Sequence, residues 1–146
     1  HLAAGVGVDV AAHVLDLFAG TGALGFEALS RGASHVTFVD DGRISLGLLR
    51  KNIALLDIAT ETTIIQRDAR RLPPNEGAPA TLVFLDPPYG KSMGLPALEA
   101  ARKGGWIAPD ALIVWEESTE HPAPAGFTFL DSRRYGDTTV TLLHAE

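Results

Sequence analysis

Short apolar runs recur along this chain, and each ends on or beside an acid: residues 14–18 enclose Asp16, 36–39 run into Asp40, 62–65 approach Asp68, 81–85 stop at Asp86 and 112–115 stop at Glu116. Runs of this length, bounded by polar and turn-forming residues, read as buried strands. Between them lie segments with helical spacing. Residues 23–31 turn Leu24, Ala28 and Leu29 inward and stop at Gly32, while 44–56 carry a stripe of Leu46, Leu49, Ile53 and Leu56. Residues 93–102 form a third such segment, with Gly104 and Gly105 as its stop. The alternation predicts an α/β fold with a mainly parallel sheet and helices on both faces. The tail differs: residues 127–130 and 140–143 flank Tyr135-Gly136-Asp137, which predicts an antiparallel hairpin at one side of a sheet of seven strands.

Length and composition narrow the function classes. With 146 residues, 46% of them hydrophobic, residues 1–146 are expected to form one domain with an ordered core. No apolar run approaches the roughly 18 residues of a membrane helix, so a soluble, cytoplasmic protein without a membrane partner is the expectation. The chain has no cysteine, which removes disulfides, thiolate zinc sites and attack on a base through a cysteine nucleophile. Its histidines, His1, His13, His35, His121 and His144, show no metal-ligand spacing and read as surface or capping residues. No metal is expected. The start at His1 rather than Met points to a trimmed N-terminus, and residues 2–10 lack the basic start of a secretory signal.

Two motifs carry chemistry. The first is Asp86-Pro87-Pro88-Tyr89, directly after the run Leu82-Val83-Phe84-Leu85. Two consecutive prolines fix φ and remove two backbone donors, so the neighbouring carbonyls stay available to a ligand. A carboxylate before them and an aromatic ring after can accept hydrogen bonds from an exocyclic amino group while stacking on the base that bears it. Amine chemistry on a nucleobase follows, with a plain tight turn as the competing reading.

The second motif is Gly20-Thr21-Gly22-Ala23-Leu24-Gly25, a glycine-rich entry to a helix with Asp40 some twenty residues beyond. Such a loop lets backbone approach a nucleotide closely, and the distal acid suits a ribose, although Gly20 and Gly22 also suit a simple turn. Open α/β sheets bind ligands beyond the carboxyl ends of their strands, where these acids fall. A nicotinamide dinucleotide and S-adenosylmethionine both fit that frame. Asp16 favours the second, because it is badly placed for a pyrophosphate and well placed to orient an ammonium group. Asp68 can accept from the adenine amine, or can serve as a cap or turn acid before Arg70.

Residues 15–25, Leu-Asp-Leu-Phe-Ala-Gly-Thr-Gly-Ala-Leu-Gly, followed by Glu27-Ala28-Leu29-Ser30-Arg31-Gly32-Ala33, resemble the RsmD-like methyltransferases, which modify the guanine exocyclic amine (N2) in bacterial small-subunit ribosomal RNA. Asp86-Pro87-Pro88-Tyr89 matches the motif of exocyclic-amine methyltransferases, and Arg134-Tyr135-Gly136-Asp137-Thr138 resembles the closing hairpin of the family. The resemblance implies a Rossmann-like class I methyltransferase fold, S-adenosyl-L-methionine as cofactor, and ribosomal RNA or an assembling small subunit as partner. It also implies cofactor contacts from Asp16, Phe18, Ala19, Gly20, Gly22, Asp40, Asp68 and Ala69, and places Asp86, Pro87, Pro88 and Tyr89 at the target base. Relatives often carry a basic residue and an acid where Asp41 and Gly42 stand, which leaves the ribose contact open between Asp40 and Asp41. They also carry a basic N-terminal segment, most of which is absent here.

In this reading Asp86 and the Pro87 carbonyl accept the two amine hydrogens, and Tyr89 stacks on the splayed base. A net charge of −6 opposes a nucleic-acid partner, and the local basic residues Arg67, Arg70, Arg71, Lys91, Arg133 and Arg134 are the counterweight. Other classes stay open: a DNA adenine or protein-glutamine amine methyltransferase, a nicotinamide-dependent oxidoreductase, and a cofactor-binding module without catalysis. Lys91 and the segment from Met93 to Pro96 read either as a lid or as a helix-entry turn.

Overall fold

The computed structural model describes residues 7–8 and 11–146, so the expectations for His1 and most of residues 2–10 lie outside the described residues. Strands β1 (His13–Leu17), β2 (His35–Asp40), β3 (Thr62–Gln66), β4 (Ala80–Leu85), β5 (Ile107–Glu117), β6 (Phe127–Tyr135) and β7 (Thr138–Ala145) form one sheet in the order β3-β2-β1-β4-β5-β7-β6. β1 to β5 run parallel; β7 is antiparallel to both β5 and β6. The α-helices among the described residues are α1 (Ala23–Ser30), α2 (Arg43–Leu56) and α3 (Gly94–Lys103). This is the Rossmann-like class I arrangement, with the hairpin where the tail predicts it.

Period-two alternation divides the core between the two faces. Val14, Val36, Phe38, Leu82, Phe84 and Val114 pack against Ala28 of α1 and Leu46, Leu49 and Ile53 of α2. Leu15, Leu17, Val39, Val83, Leu85, Ile113 and Trp115 face the other way, onto Ala97, Leu98 and Ala101 of α3. Both faces of the central strands are therefore covered. Full burial of such side chains contributes roughly 1.5–3 kcal/mol each, which makes this layering the main source of stability.

Several expectations need correction. Phe18 is outside β1: its φ of 61° takes it off the strand direction, and the Ala19 N–H turns onto the Val39 carbonyl. Leu56 is not core but 57% exposed, because the chain reverses at Asp57 (φ 55°) and Ile58 packs against the core instead. β5 begins five residues before the expected 112; Pro109 and the left-handed Asp110 (φ 66°) mask it in the sequence, and the ladder to β4 shifts register there. β6 and β7 likewise extend past their apolar centres toward a turn at Gly136 and Asp137.

The crossover from β3 to β4 carries only a short 3-10 turn, Ala69–Arg71, instead of a helix. A cavity of about 490 Å³ remains there, lined in part by His13, His35, Thr63 and Trp106. His35 is thus no plain surface residue: it sits 2.8 Å from the Thr63 hydroxyl, and burial with His13 nearby lowers its pKa. His121 is also more than a surface residue, since its ring stacks on Trp115 with centroids 4.5 Å apart.

Gly25 sets how closely α1 can seat on the sheet. A Cβ there would overlap the Phe38 ring and lie 2.9 Å from Val36 Cγ1. Gly25→Ala is expected to lower stability by about 1–3 kcal/mol through overpacking, despite the better helix propensity of alanine. Gly47, in the middle of α2 with nothing near its Cβ position, should respond oppositely: Gly47→Ala should raise stability by about 0.5–1 kcal/mol. Urea unfolding of the two variants reads both signs.

Candidate functional site

The same alternation that builds the core brings four carboxyls to one rim. Asp16 pairs in register with Phe38 of β2 and Phe84 of β4, and Phe84 pairs with Val114 of β5. Two residues further along those strands on the same face stand Asp40, Asp86 and Glu116. Parallel strands all end at one side, so the acids line up in the order Asp40, Asp16, Asp86, Glu116. Their charges act on one another accordingly.

Asp16 is 1% exposed, and burial raises its pKa to about 8, against the opposing pull of the Gly25 N–H; Asp86, Asp40 and Glu116 add to the rise. Asp86 is raised to about 6 by burial first and Glu116 second. Burial raises Glu116 too. Such a row disfavours its own ionisation and favours any compact cation that enters it. Among the described residues there is no cluster of three or more groups that could hold a metal ion.

The glycine loop wraps around this row. Gly22 caps α1 with φ 91°, and a Cβ there would meet Leu49 Cδ1 at 2.5 Å and Phe26 Cε2 at 2.9 Å, so both the dihedral and the space demand glycine. Gly20, with φ 59°, donates its N–H to Asp40 Oδ2 at 2.8 Å, and the Gly42 N–H donates to Oδ1 at 2.8 Å. Gly25 donates to Asp16 Oδ2 at 3.2 Å. Backbone donors therefore hold both acids in place, leaving Asp41 as the exposed neighbour with a freer carboxylate.

A cavity of about 280 Å³ opens above the rim, lined by Phe18, Asp40, Asp41, Asp68, Ala69, Asp86, Pro87, Pro88 and Met93. It gathers most of the residues that the sequence singles out; Asp16 and the glycines stand beside it. Asp68 serves as the turn acid there. It caps the 3-10 turn through the Arg70 N–H at 2.9 Å and pairs with the Arg70 guanidinium at 2.6 Å, which holds its pKa down at about 2. The segment after the motif is a helix entry: Gly94, Leu95 and Pro96 begin α3, and Met93 reaches the cavity.

Tyr89 is placed differently. It does not line the cavity; its half-exposed ring reaches the hairpin, where its hydroxyl lies 2.6 Å from Thr138 Oγ1. The basic residues are partly committed: Arg133 pairs with Asp131, and Arg134 donates to the Ser118 carbonyl and the Thr139 hydroxyl. Sequence reasoning gave no role to Glu116 or Thr138, and read Met93 only as part of a lid or a helix-entry turn. For Glu116 the signal was available, since it closes its strand on the same alternation as Asp86. Thr138 had none, because only the fold brings the hairpin turn to the motif.

The family described as conserved hypothetical protein 95 matches residues 7–144. Ribosomal RNA small subunit methyltransferase D of Escherichia coli (strain K12) is 37% identical over 117 residues, which cover 80% of this chain and 59% of that protein. The protein of the same name from Haemophilus influenzae is 34% identical over 134 residues, covering 88% of this chain and 69% of that one. The chain thus spans about three fifths of the length of the Escherichia coli relative. In three dimensions, the solved structure of yhhF from Escherichia coli matches with a TM-score of 0.84 at 33% identity, covering 94% of this chain and 77% of that one. The glycine loop, the rim acids and the Asp-Pro-Pro-Tyr segment all fall inside the matched span, and the chain belongs to the conserved hypothetical protein 95 family, the RsmD-like methyltransferases.

Proposed function

We propose that this chain transfers a methyl group from S-adenosyl-L-methionine to the exocyclic N2 amine of a guanine in small-subunit ribosomal RNA. One observation carries the reading: an acid row and a glycine loop adjoin the Asp86-Pro87-Pro88 segment around one cavity. Family membership and the names of the relatives support the ribosomal RNA substrate. The donor set fits the cofactor, which is cationic at sulfur and carries an ammonium group, because partly desolvated carboxyls favour such charges. The cofactor supplies an activated methyl group.

The chain's own residues do the rest. Asp16 faces the ammonium end, Asp40 or the freer Asp41 the ribose, and Asp68 with Ala69 the adenine. Asp86 and the Pro87 carbonyl accept the two hydrogens of the guanine amine, whose lone pair is otherwise shared with the ring. Held so, the nitrogen can pyramidalise and turn its lone pair toward the methyl group that the cofactor would supply, and the amine proton released by the new N–C bond would pass to Asp86, its acceptor. Pro87 and Pro88 lack N–H groups, so their carbonyl geometry is fixed by the ring-locked backbone rather than by a ladder. Tyr89, pinned at its hydroxyl by Thr138, offers a ring face to the splayed base.

Asp86→Ala should reduce methyl transfer from labelled cofactor to undermethylated small-subunit RNA by on the order of 10²–10³-fold, with cofactor affinity within a few fold of wild type. In the wild type, kcat/KM should fall as pH drops below about 6, where Asp86 takes up a proton and loses acceptor capacity. Near-full turnover of the alanine variant would refute the role of Asp86, and methyl groups found only on adenine or glutamine in a substrate digest would refute the guanine reading.

Asp16 makes a separate prediction through linkage. Its folded-state pKa of about 8 lies above the ordinary 3.8, so the fold prefers the protonated form; that contribution is full below about pH 4 and is lost as pH rises through 8. Asp16→Asn should therefore gain stability relative to wild type steadily from pH 4 to pH 8 in the absence of cofactor, while binding cofactor at least about tenfold more weakly at pH 8. Thermal melts across that range, with and without cofactor, read both effects. A stability difference independent of pH would remove Asp16 from the acid row.

A further inference from the structure

Glu116 is the one member of the acid row with no part in the scheme above, and it stands on the side away from the glycine loop. Leu85 of β4 pairs with Trp115 of β5, so Asp86, the first residue past β4, follows on beside Glu116 of β5, near enough for the Glu116 charge to act on the Asp86 carboxyl. On its other side Glu116 pairs with Val140, two residues from the Thr138 that holds Tyr89. Its carboxyl is half-buried and accepts no hydrogen bond among the described residues. It therefore stands beside the amine acceptor, with no hydrogen-bond donor to its carboxyl among the described residues.

We propose that Glu116 is the specificity-determining residue of the site, accepting the guanine N1–H while Asp86 and the Pro87 carbonyl hold the adjoining N2 amine. This rests on the guanine reading and deepens it. The chemistry singles out one base. Guanine, adenine and cytosine all carry an exocyclic amine, but only guanine has a donor, N1–H, among the ring nitrogens next to the amine; adenine N1 and cytosine N3 bear a lone pair. An ionised carboxylate is acceptor-only, so Glu116 attracts the guanine edge and opposes a lone pair in the same place. Burial strengthens both effects, since an unmade hydrogen bond beside a desolvated carboxylate is costly. Asp86 alone cannot make this distinction, because every amine offers it the same two hydrogens.

The test uses 2-aminopurine, which keeps the N2 amine but carries a lone pair at N1. Ribosomal RNA fragments are prepared with guanine or 2-aminopurine at the position that the wild-type protein methylates, and kcat/KM is compared for wild type, Glu116→Gln and Glu116→Ala. Wild type should prefer guanine by on the order of 10²-fold or more. Glu116→Gln, whose amide can donate to a bare N1, should bring the two substrates within about tenfold of each other, and Glu116→Ala should slow guanine while erasing most of the preference. Cofactor Kd should stay within a few fold throughout. A merely structural role would slow both substrates alike and leave the ratio unchanged, and that outcome overturns the proposal. If wild type methylates guanine and the ratio does not move in Glu116→Gln, only the selectivity assignment falls; if wild type leaves guanine RNA unmethylated, the proposed function falls and this inference with it.

Discussion

The structure depends on one electrostatic arrangement: carboxyls placed side by side by strand parity, with too little water to keep them all comfortably ionised. In a parallel sheet every strand presents its carboxyl end to the same rim, and residues of one parity emerge on one face. Acids of one parity at or near the ends of β2, β1, β4 and β5 must therefore meet. Hydrophobic layers above and below provide the stability that tolerates the arrangement. The row is unfavourable in isolation and favourable around a cation, so the same burial that strains the empty site strengthens its grip on a charged ligand.

Packing and electrostatics are joined at α1. Gly25 lacks a Cβ where one would strike Phe38, so the helix sits close to the sheet, and from that position the Gly25 N–H reaches Asp16. A bulkier residue would lift the helix and its donor together. Gly22 acts one turn earlier, where its left-handed φ and the lack of a Cβ that would strike Leu49 let the loop fold back so that Gly20 can donate to Asp40. Two glycines thus set the position of two acids through backbone geometry alone. That is why the fold tolerates a nearly inaccessible Asp16.

Much of this was legible in the sequence. Short apolar runs located the seven strands of the described residues, the central ones because a strand buried on both faces must be apolar whatever its neighbours, and glycine and proline marked most of the turns. The misreadings share a cause, namely features fixed by partners distant in sequence. β5 reads from the sequence as starting at 112, because only the pairing with β4 shows that the strand begins at Ile107 and continues through an irregularity in register. Leu56 is the exception: its spacing suits core, but the left-handed cap at Asp57, where the Asp57 and Ile58 N–H groups donate back to Ala54 and Ile53, turns the chain locally. Tyr89 was legible as an aromatic beside Asp86, whereas its tie to Thr138 joins positions 49 residues apart. Asp68 offered two readings, and Arg70 two residues later decides for a capped, ion-paired turn that still borders the cavity.

The antiparallel hairpin explains how the rim acquires two distinct halves. Parallel β1 to β5 bring only carboxyl ends to that side, and those ends are already occupied by the loops that carry the acids. β7 runs the other way between β5 and β6, so its first residue, Thr138, arrives at the rim from the turn instead of leaving it. The hairpin turn therefore stands beside the end of β5 and can fasten Tyr89 from outside the parallel set. On the β2 and β1 side, backbone donors of the glycine loop satisfy the acids; on the β4 and β5 side no backbone N–H among the described residues donates to the Asp86 or Glu116 carboxyl. The half with satisfied acids suits a tightly held group, and the half with unsatisfied acceptors suits a substrate that must bring its own donors.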